Sequence, residues 1–218
     1  MSQTAWADEI EQAVLDAALA RAPVDGWGGE LAWRAAADAG LSRGEAELLL
    51  PNGSADLAAL LSRRHDDAAL AALAEVDPSA LKIRERIRAA VIARMDAAEA
   101  DQAAVRRCLG YLALPTRAPL GLRLAWQSAD VLWRWAGDVA TDENHYSKRA
   151  ILAGVLTAVI ATDLASGREA ALAQLDARIA NVMDFERWKA GLRPGVLGER
   201  LVGVLTRLRY GRAPATAD

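Results

Sequence analysis

Histidine, cysteine and aromatic residues are scarce in this chain of 218 residues, and each scarcity excludes a class of site. Cys108 is the single cysteine, so an internal disulfide and a cysteine-rich zinc or iron–sulfur site are both excluded. His65 and His145 lie far apart, and neither belongs to a Glu-x-x-His pair of the kind that helical di-metal centres use. We therefore expect no metal site and no other cofactor.

The composition favours helices. Hydrophobic residues make up 53% of the chain and charged residues 25%, which excludes a disordered chain. Aromatic residues make up only 5%, and few β-branched or aromatic residues alternate with polar ones as half-buried strands require. The length suits one large domain or two small ones. We therefore expect an all-α protein.

No catalytic motif is recognisable. The sequence has no Gly-x-Ser-x-Gly nucleophile elbow and no glycine-rich loop that could hold a phosphate group. Cys108 lies among apolar residues, which predicts an inert buried thiol. His65 follows two arginines and is expected on the solvated surface, as are the neighbouring carboxylates of Asp66 and Asp67. We expect a protein that is not an enzyme.

Charge is distributed unevenly along the chain. Residues 1–80 contain fourteen acidic residues and five arginines, whereas residues 81–218 contain fifteen acidic and twenty-one basic residues. The first part should repel nucleic-acid phosphates, and the second could meet anionic lipid or an acidic partner. The N-terminus resembles neither a secretory signal nor a transit peptide. The apolar run over residues 150–161 is shorter than a membrane span, so we expect a buried helix and a cytoplasmic protein.

Apolar residues recur at helical spacing along most of the chain. Pro23 is expected to end the first helix, and Asp77 and Pro78 to open a long one. Ser42 and Glu45 form a predicted capping box at the start of a short helix. The predicted helices cover residues 6–22, 29–39, 43–50, a segment from Ser54, and residues 77–98, 102–114, 119–135, 141–165, 168–189 and 196–209.

Two short helices over residues 28–50 have the outline of a helix-turn-helix unit. The second helix would enter a DNA groove, yet residues 43–50 offer one base and two acids. Because DNA affinity comes largely from neutralising phosphates, this surface is poorly suited to bind DNA. We expect a degenerate helix-turn-helix that is retained as a scaffold, with no nucleic-acid partner.

A second signal lies where two predicted helices meet, over residues 130–152. Capping accounts for Gly137 and the residues that follow it, but not for the aromatic and charged residues that bracket the turn. Large aromatic residues ringed by charge are typical of partner-binding surfaces and also of packing between helices. The spacing leaves both interpretations open for these residues, which are Asp130, Trp133, Trp135, Asp138, His145, Tyr146, Lys148 and Arg149.

The last predicted helix is basic and amphipathic. From residue 191 to residue 212 there are five arginines and one acid. Such a helix can lie in an anionic membrane interface, and it can equally pack on its own domain or on a second subunit. The residues that would contact a membrane are Leu197, Arg200, Leu201, Val204, Leu205, Arg207 and Leu208.

The stretch Trp-x-x-Ala-Gly-Asp-x-x-Thr-Asp-x-x-x-Tyr-x-Lys-Arg-Ala, which begins at Trp133, resembles a known family. The chain is similar to the accessory lipid-binding proteins of ubiquinone biosynthesis, the ninth coenzyme Q factor and its proteobacterial relatives. The likeness extends over nearly the whole chain and is most specific between Trp133 and Leu152. It implies a TetR-regulator-like fold of about nine to ten helices, assembled as a homodimer.

The resemblance also implies a function. Members of that family bind isoprenoid lipid or phospholipid in an apolar cavity and present a quinone precursor to a ubiquinone-pathway hydroxylase. The final amphipathic helix contacts the membrane, which implies a cytoplasmic protein peripheral on the inner membrane. Carried over by position, the surface that faces the hydroxylase comprises Asp130, Leu132, His145 and Tyr146, with Trp133, Lys148 and Arg149 beside it.

These expectations divide the chain into three parts. Residues 1–60 would form the helix-turn-helix part, residues 61–190 the ligand-binding and dimerisation part, and residues 191–218 the amphipathic helix and tail. Two other functions fit the same pattern. One is a TetR-type repressor that responds to a hydrophobic ligand, and the other is a helical dimerisation module with a filled, alanine-rich core.

Overall fold

A computed structural model describes the backbone of residues 3–138 and 143–191 and the side chains of residues 6–138 and 146–181. These residues form nine α-helices and one short 3₁₀ turn, which confirms the all-α prediction. The helices are α1 (Gln3–Asp25), α2 (Leu31–Asp38), α3 (Arg43–Leu49), α4 (Ser54–Ala72), α5 (Ile83–Glu99), α6 (Gln102–Leu112), α7 (Ala118–Trp135), α8 (Glu143–Ser166) and α9 (Arg168–Gly191). The predicted helix over residues 196–209 lies outside the described residues.

Local signals place the short helices α2 and α3. Gly40, with φ of +82°, turns the chain between them in a backbone conformation that other residues rarely adopt. The predicted capping box at α3 is confirmed: Ser42 Oγ accepts from Glu45 N at 3.4 Å, and Glu45 Oε2 accepts from Ser42 N at 2.8 Å. The two helices of the predicted helix-turn-helix are therefore both present.

Two predicted helix boundaries were wrong. Pro23 does not end α1, because a proline near the C-terminus of a helix removes only one backbone donor. The helix continues to Asp25 and gives way at Gly26, whose φ is +77° and whose N–H donates to Ala22 O. The long helix does not begin at Pro78, since Pro78–Ala80 forms a separate 3₁₀ turn.

The backbone is extended at Lys82, which separates that turn from α5. Glu85 Oε2 accepts from the Lys82 N–H at 3.0 Å and so satisfies one of the free donors at the start of α5. The helix therefore begins at Ile83, six residues later than the sequence pattern predicted.

One hydrophobic core joins residues of α1 to α7. Val14, Leu15, Leu31 and Leu57 are almost completely buried in it, and the Trp27 indole N–H donates to Ser54 O at 3.0 Å. The predicted domain boundary at residue 60 falls inside α4. Residues 1–60 share this core with later helices, so they do not form a separate compact unit.

The chain divides into two units, residues 1–175 and residues 176–218. In the first unit, α1 packs on α2, α4 and α6, α4 packs on α5 and α7, and α7 packs on α8. The described part of the second unit is the C-terminal portion of α9, whose side chains are described only as far as residue 181.

Helix α8 carries its buried residues on one face. Leu152, Val155, Leu156 and Val159, within the apolar run that was predicted to be a buried helix, are buried, whereas Ile151 of the same run is 43% exposed. Residues 146–166 are long and apolar enough to cross a membrane by length and composition, and a third of that stretch is buried. A helix from the interior of a globular protein meets the same criterion, so α8 alone does not establish a membrane span.

Candidate functional site: an apolar cavity and the α7–α8 contact

A cavity of about 480 Å³ lies among α4, α5, α6, α7 and α8, all within the first unit. This volume is typical of pockets that hold small molecules. Most of its lining is apolar, and each of the five helices contributes to it. The apolar lining includes Ala58, Leu61, Cys108, Leu109, Leu112, Leu122, Leu124, Ala125, Leu156 and Ile160.

The buried end of the cavity carries a polar network. Arg94, on α5, donates from Nε to Asp66 Oδ1 at 2.6 Å, and Ser128 Oγ, on α7, donates to Asp66 Oδ2 at 2.9 Å. His65 Nε2 lies 2.9 Å from Asp101 Oδ2. His65, Asp66, Arg94 and Ser128 are each no more than 6% exposed. The network thus places four buried polar residues from three helices beside an apolar pocket.

The prediction that His65 and Asp66 lie on the solvated surface was therefore wrong, whereas Asp67 is exposed as predicted. Both buried residues have partners on other helices, which a reading of α4 alone could not show. Burial and the nearby Arg94 charge lower the pKa of His65 to about 4, against the opposing effect of Asp101. Burial raises the pKa of Asp66, although Arg94 and Ser128 favour its ionised form.

The spacing of residues along α4 and α5 indicated that His65 and Arg94 are buried. His65 lies four residues after Leu61, which itself lies four after Leu57, so it belongs to the buried face of α4. Arg94 lies three residues after the buried Val91, on the inner face of α5. Polar residues that fall on an apolar stripe are expected to be buried with partners.

The exposed lining residues mark the opening of the cavity. Leu122 on α7 is 73% exposed, and Thr157 and Ala161 on α8 are also exposed. The Thr157 hydroxyl donates to Ala153 O at 2.8 Å, within its own helix. The opening between α7 and α8 thus presents mainly apolar surface, and the polar side chains lie at the buried end.

Cys108 is 5% exposed and lines the cavity, which confirms the predicted buried thiol. Burial raises its pKa to about 12, so the reactive thiolate is scarce at neutral pH. Among the described residues, no group of three or more histidine, cysteine, aspartate or glutamate side chains could hold a metal ion.

A second feature is a charged cluster that joins α7 to α8. Arg149, on α8, is 1% exposed and lies between two carboxylates. Its Nε is 2.5 Å from Asp130 Oδ1, and its Nη1 is 3.0 Å from Asp138 Oδ2. Burial alone would raise the pKa of Asp138, but hydrogen bonds from Lys148 and Arg149 outweigh it and lower that pKa.

Trp133 and Lys148 complete this contact. The Trp133 indole N–H donates to Lys148 O at 3.0 Å, and the Lys148 ammonium lies 5.5 Å from the Trp133 ring centroid. Lys148 Nζ also lies 2.7 Å from Asp138 Oδ1. The motif that carried the family resemblance therefore fixes the junction of two helices.

The structure separates the predicted partner-binding residues into two groups. Leu132 and Arg149 are buried, so neither side chain is exposed for contact with a partner. Tyr146 is 64% exposed, and its ring lies 6.1 Å from that of Trp126. The side chain of His145 lies outside the described residues, as do all of Leu197–Leu208.

Helix α3, the second helix of the helix-turn-helix, carries one basic residue. Arg43 Nε lies 3.0 Å from Glu47 Oε1, and its guanidinium lies over the Trp33 ring at 5.4 Å. This base is therefore already engaged by a carboxylate, which weakens any attraction of α3 for phosphate.

Comparison with known proteins points to the part of the chain that contains the α7–α8 contact. The family model described as COQ9 matches residues 118–186, the region of α7, α8 and most of α9. The ubiquinone biosynthesis protein COQ9-B, mitochondrial, of Xenopus laevis is 31% identical over 159 residues, which are 68% of this chain and 53% of that protein. This chain is a relative of the COQ9 proteins.

Mammalian COQ9 proteins match at similar levels. The ubiquinone biosynthesis protein COQ9, mitochondrial, of Rattus norvegicus is 28% identical over 189 residues, covering 82% of this chain and 60% of that protein. The Homo sapiens protein of the same name is 28% identical over 156 residues, covering 68% of this chain and 48% of that protein. The chain thus spans about half the length of the COQ9 relatives that it matches.

Proposed function

We propose that this chain is a lipid-binding accessory protein of ubiquinone biosynthesis that presents an isoprenoid quinone precursor to a membrane-associated hydroxylase. The observation that carries the proposal is the cavity of about 480 Å³ among α4–α8, with its mainly apolar lining. A helical module with a filled core would have no such space. The kinship with proteins named for ubiquinone biosynthesis supports a quinone precursor as the cargo.

The energetics indicate what else such a protein needs. Moving an isoprenoid from water into an apolar cavity gains roughly 0.8 kcal/mol for each CH₂ group. Moving it from a bilayer gains almost nothing, because the bilayer interior is equally apolar. A carrier therefore needs a membrane contact from which to load and an enzyme to which it delivers, and the chemistry stays with that enzyme.

We propose that the enzyme contact includes Tyr146, which lies on α8 one helical turn before Arg149 of the charged cluster. An exposed aromatic ring beside buried, well-paired charges is a suitable anchor for a protein partner. The membrane contact is proposed for the basic amphipathic segment of residues 197–208, on its sequence pattern. A homodimer and a location peripheral on a membrane remain parts of the proposal.

The charge of α3 favours this function over that of a DNA-binding repressor. The Arg43–Glu47 pair and the acidic first part of the chain both oppose contact with phosphates. A salt titration against genomic DNA separates the two functions. Sequence-specific retention at physiological salt would favour the repressor.

Lipid extraction and native mass spectrometry of the purified full chain test the proposal. We expect co-purified lipid that contains an isoprenoid or acyl chain. Ala125→Phe, which places a ring in the cavity, should greatly reduce the bound lipid. Ala68→Phe, at an exposed position of α4, makes the same change outside the cavity and should leave lipid binding unchanged. A consistently empty wild-type protein would contradict the proposal.

A further inference from the structure

The polar residues that line the cavity are concentrated at its buried end. Ser128, His65 and Arg94 are 2%, 3% and 6% exposed, and Ser62 is half-buried beside them, with its hydroxyl 3.4 Å from that of Ser128. A pocket that served only to hold a hydrocarbon chain would gain nothing from these groups, because burying polar groups beside an apolar ligand costs free energy.

We propose that this end of the cavity, formed by Ser62, His65, Arg94 and Ser128, is a head-group site for an uncharged ligand end that bears carbonyl or ether oxygens. The apolar tail of that ligand would extend towards the opening at Leu122 and Thr157. The inference rests on the proposed function, since both use the same cavity, and it specifies the chemistry of the ligand and its orientation.

Hydrogen-bond donors remain available at this site. Arg94 uses Nε to bind Asp66, and no hydrogen bond within the described residues uses its Nη1 or Nη2. The Ser62–Ser128 contact, at 3.4 Å, is longer than an ordinary hydroxyl hydrogen bond. An oxygen acceptor on the ligand would therefore find the Arg94 Nη groups and the Ser62 hydroxyl as donors, whereas Ser128 gives its one proton to Asp66.

The charges at the site favour an uncharged head group over an anion. The positive charge of Arg94 is already matched by Asp66, and a second carboxylate, Asp101, lies 2.9 Å from the ring of His65. His65 adds no further positive charge at neutral pH, because its pKa is about 4. A carboxylate or phosphate brought into the site would lack a cation of its own, which is costly in a buried place.

Three probes of similar chain length test the assignment by calorimetric titration of the full chain. They are a benzoquinone with a ten-carbon alkyl tail, decylbenzene without oxygens, and decanoate as an anion. Arg94→Lys keeps a cation for Asp66 but removes the Nη donors, and Ser62→Ala removes one hydroxyl. Thr157→Val is the matched control, because it removes a hydroxyl at the opening that is bonded within its own helix.

We expect Arg94→Lys to weaken binding of the quinone by roughly three- to tenfold, the loss typical of one hydrogen bond, and Ser62→Ala by about twofold or more. Binding of decylbenzene should not change in either variant, and Thr157→Val should alter neither probe. Decanoate should bind the wild-type chain less tightly than the quinone.

The outcomes that overturn the assignment differ from those that overturn the proposed function. If the variants leave quinone binding unchanged, or weaken the quinone and decylbenzene equally, the head-group site is wrong and the lipid cavity stands. If decanoate binds more tightly than the quinone and this binding is lost in Arg94→Lys, the site prefers anionic ligands, which also overturns the assignment. If none of the three probes binds, both the lipid-binding function of the cavity and the head-group site are wrong.

Discussion

Arg149 Nε lies 2.5 Å from Asp130 Oδ1, and this contact fastens α8 to α7 at a point where the arginine is 1% exposed. Asp130 also receives Arg134 at 2.7 Å, one helical turn along α7, where the guanidinium is 72% exposed. The same carboxylate therefore has one buried and one exposed arginine partner. Replacing each arginine in turn compares what a buried and an exposed ion pair contribute to the free energy of unfolding.

We predict that Arg149→Met destabilises the protein by about 3 kcal/mol, because it removes a buried cation shared by the partly buried carboxylates of Asp130 and Asp138. Arg134→Met removes only an exposed partner and should cost less than about 1 kcal/mol. Urea unfolding of both variants measures the difference. Equal losses would show that Arg149 contributes no more than a surface ion pair.

A second prediction concerns Tyr146. Because its ring is 64% exposed, Tyr146→Ala should leave the free energy of unfolding nearly unchanged. It should weaken binding to the hydroxylase by tenfold or more, as loss of a central aromatic anchor does, and lower ubiquinone in cells. The control is Leu48→Ala, another exposed apolar residue, on α3 and outside this surface. Unchanged quinone levels in the Tyr146 variant would remove this residue from the enzyme contact.

Local interactions made part of the fold predictable. The Ser42–Glu45 capping box joins residues three apart, and the turn at Gly40 depends on one backbone conformation. The capping box follows from neighbouring residue types and was predicted, as was a turn between two short helices over residues 28–50. Cys108 was placed correctly for a similar reason, since Val105, Leu109 and Leu112, which lie near it at helical spacing on α6, are apolar.

The polar end of the cavity depends on pairs distant in sequence and was missed. His65 bonds Asp101 thirty-six residues away, and Arg94 bonds Asp66 across twenty-eight residues. The local sequence around His65 is charged, so it is typical of a solvated helix face. Only the four-residue spacing from Leu61 indicated burial, and the identity of the partners depends on how the helices pack.

The pH dependence of stability provides a third prediction, which concerns His65. Its pKa falls from 6.5 to about 4 on folding, so between these values the unfolded chain binds more protons than the folded one. Stability from the neutral histidine is complete above pH 6.5 and is lost as the pH falls towards 4. The shift corresponds to roughly 3 kcal/mol at most.

Other charged groups near His65 also affect how the free energy of unfolding changes at acidic pH. Arg94 and Arg64 disfavour its protonation, Asp101 favours it, and Asp66 has a raised pKa that acts in the opposite direction on stability. Comparing the wild type with His65→Gln isolates the histidine, because the variant keeps a polar side chain and cannot titrate. Unfolding free energies between pH 4 and 7 should rise less steeply in the variant. Parallel curves would contradict the assigned pKa.

The fourth prediction uses Cys108 as a reporter of the cavity, since it is the single cysteine of the chain. With a pKa of about 12, its thiolate fraction near pH 8 is roughly a thousandfold below that of an unfolded cysteine. Alkylation should therefore be very slow in the folded protein and fast in denaturant. Because Cys108 lines the cavity, a bound quinone should slow labelling further, whereas Ala125→Phe should abolish that protection. Mass spectrometry of the labelled chain follows the reaction, and protection that survives in the filled-cavity variant would place the ligand elsewhere.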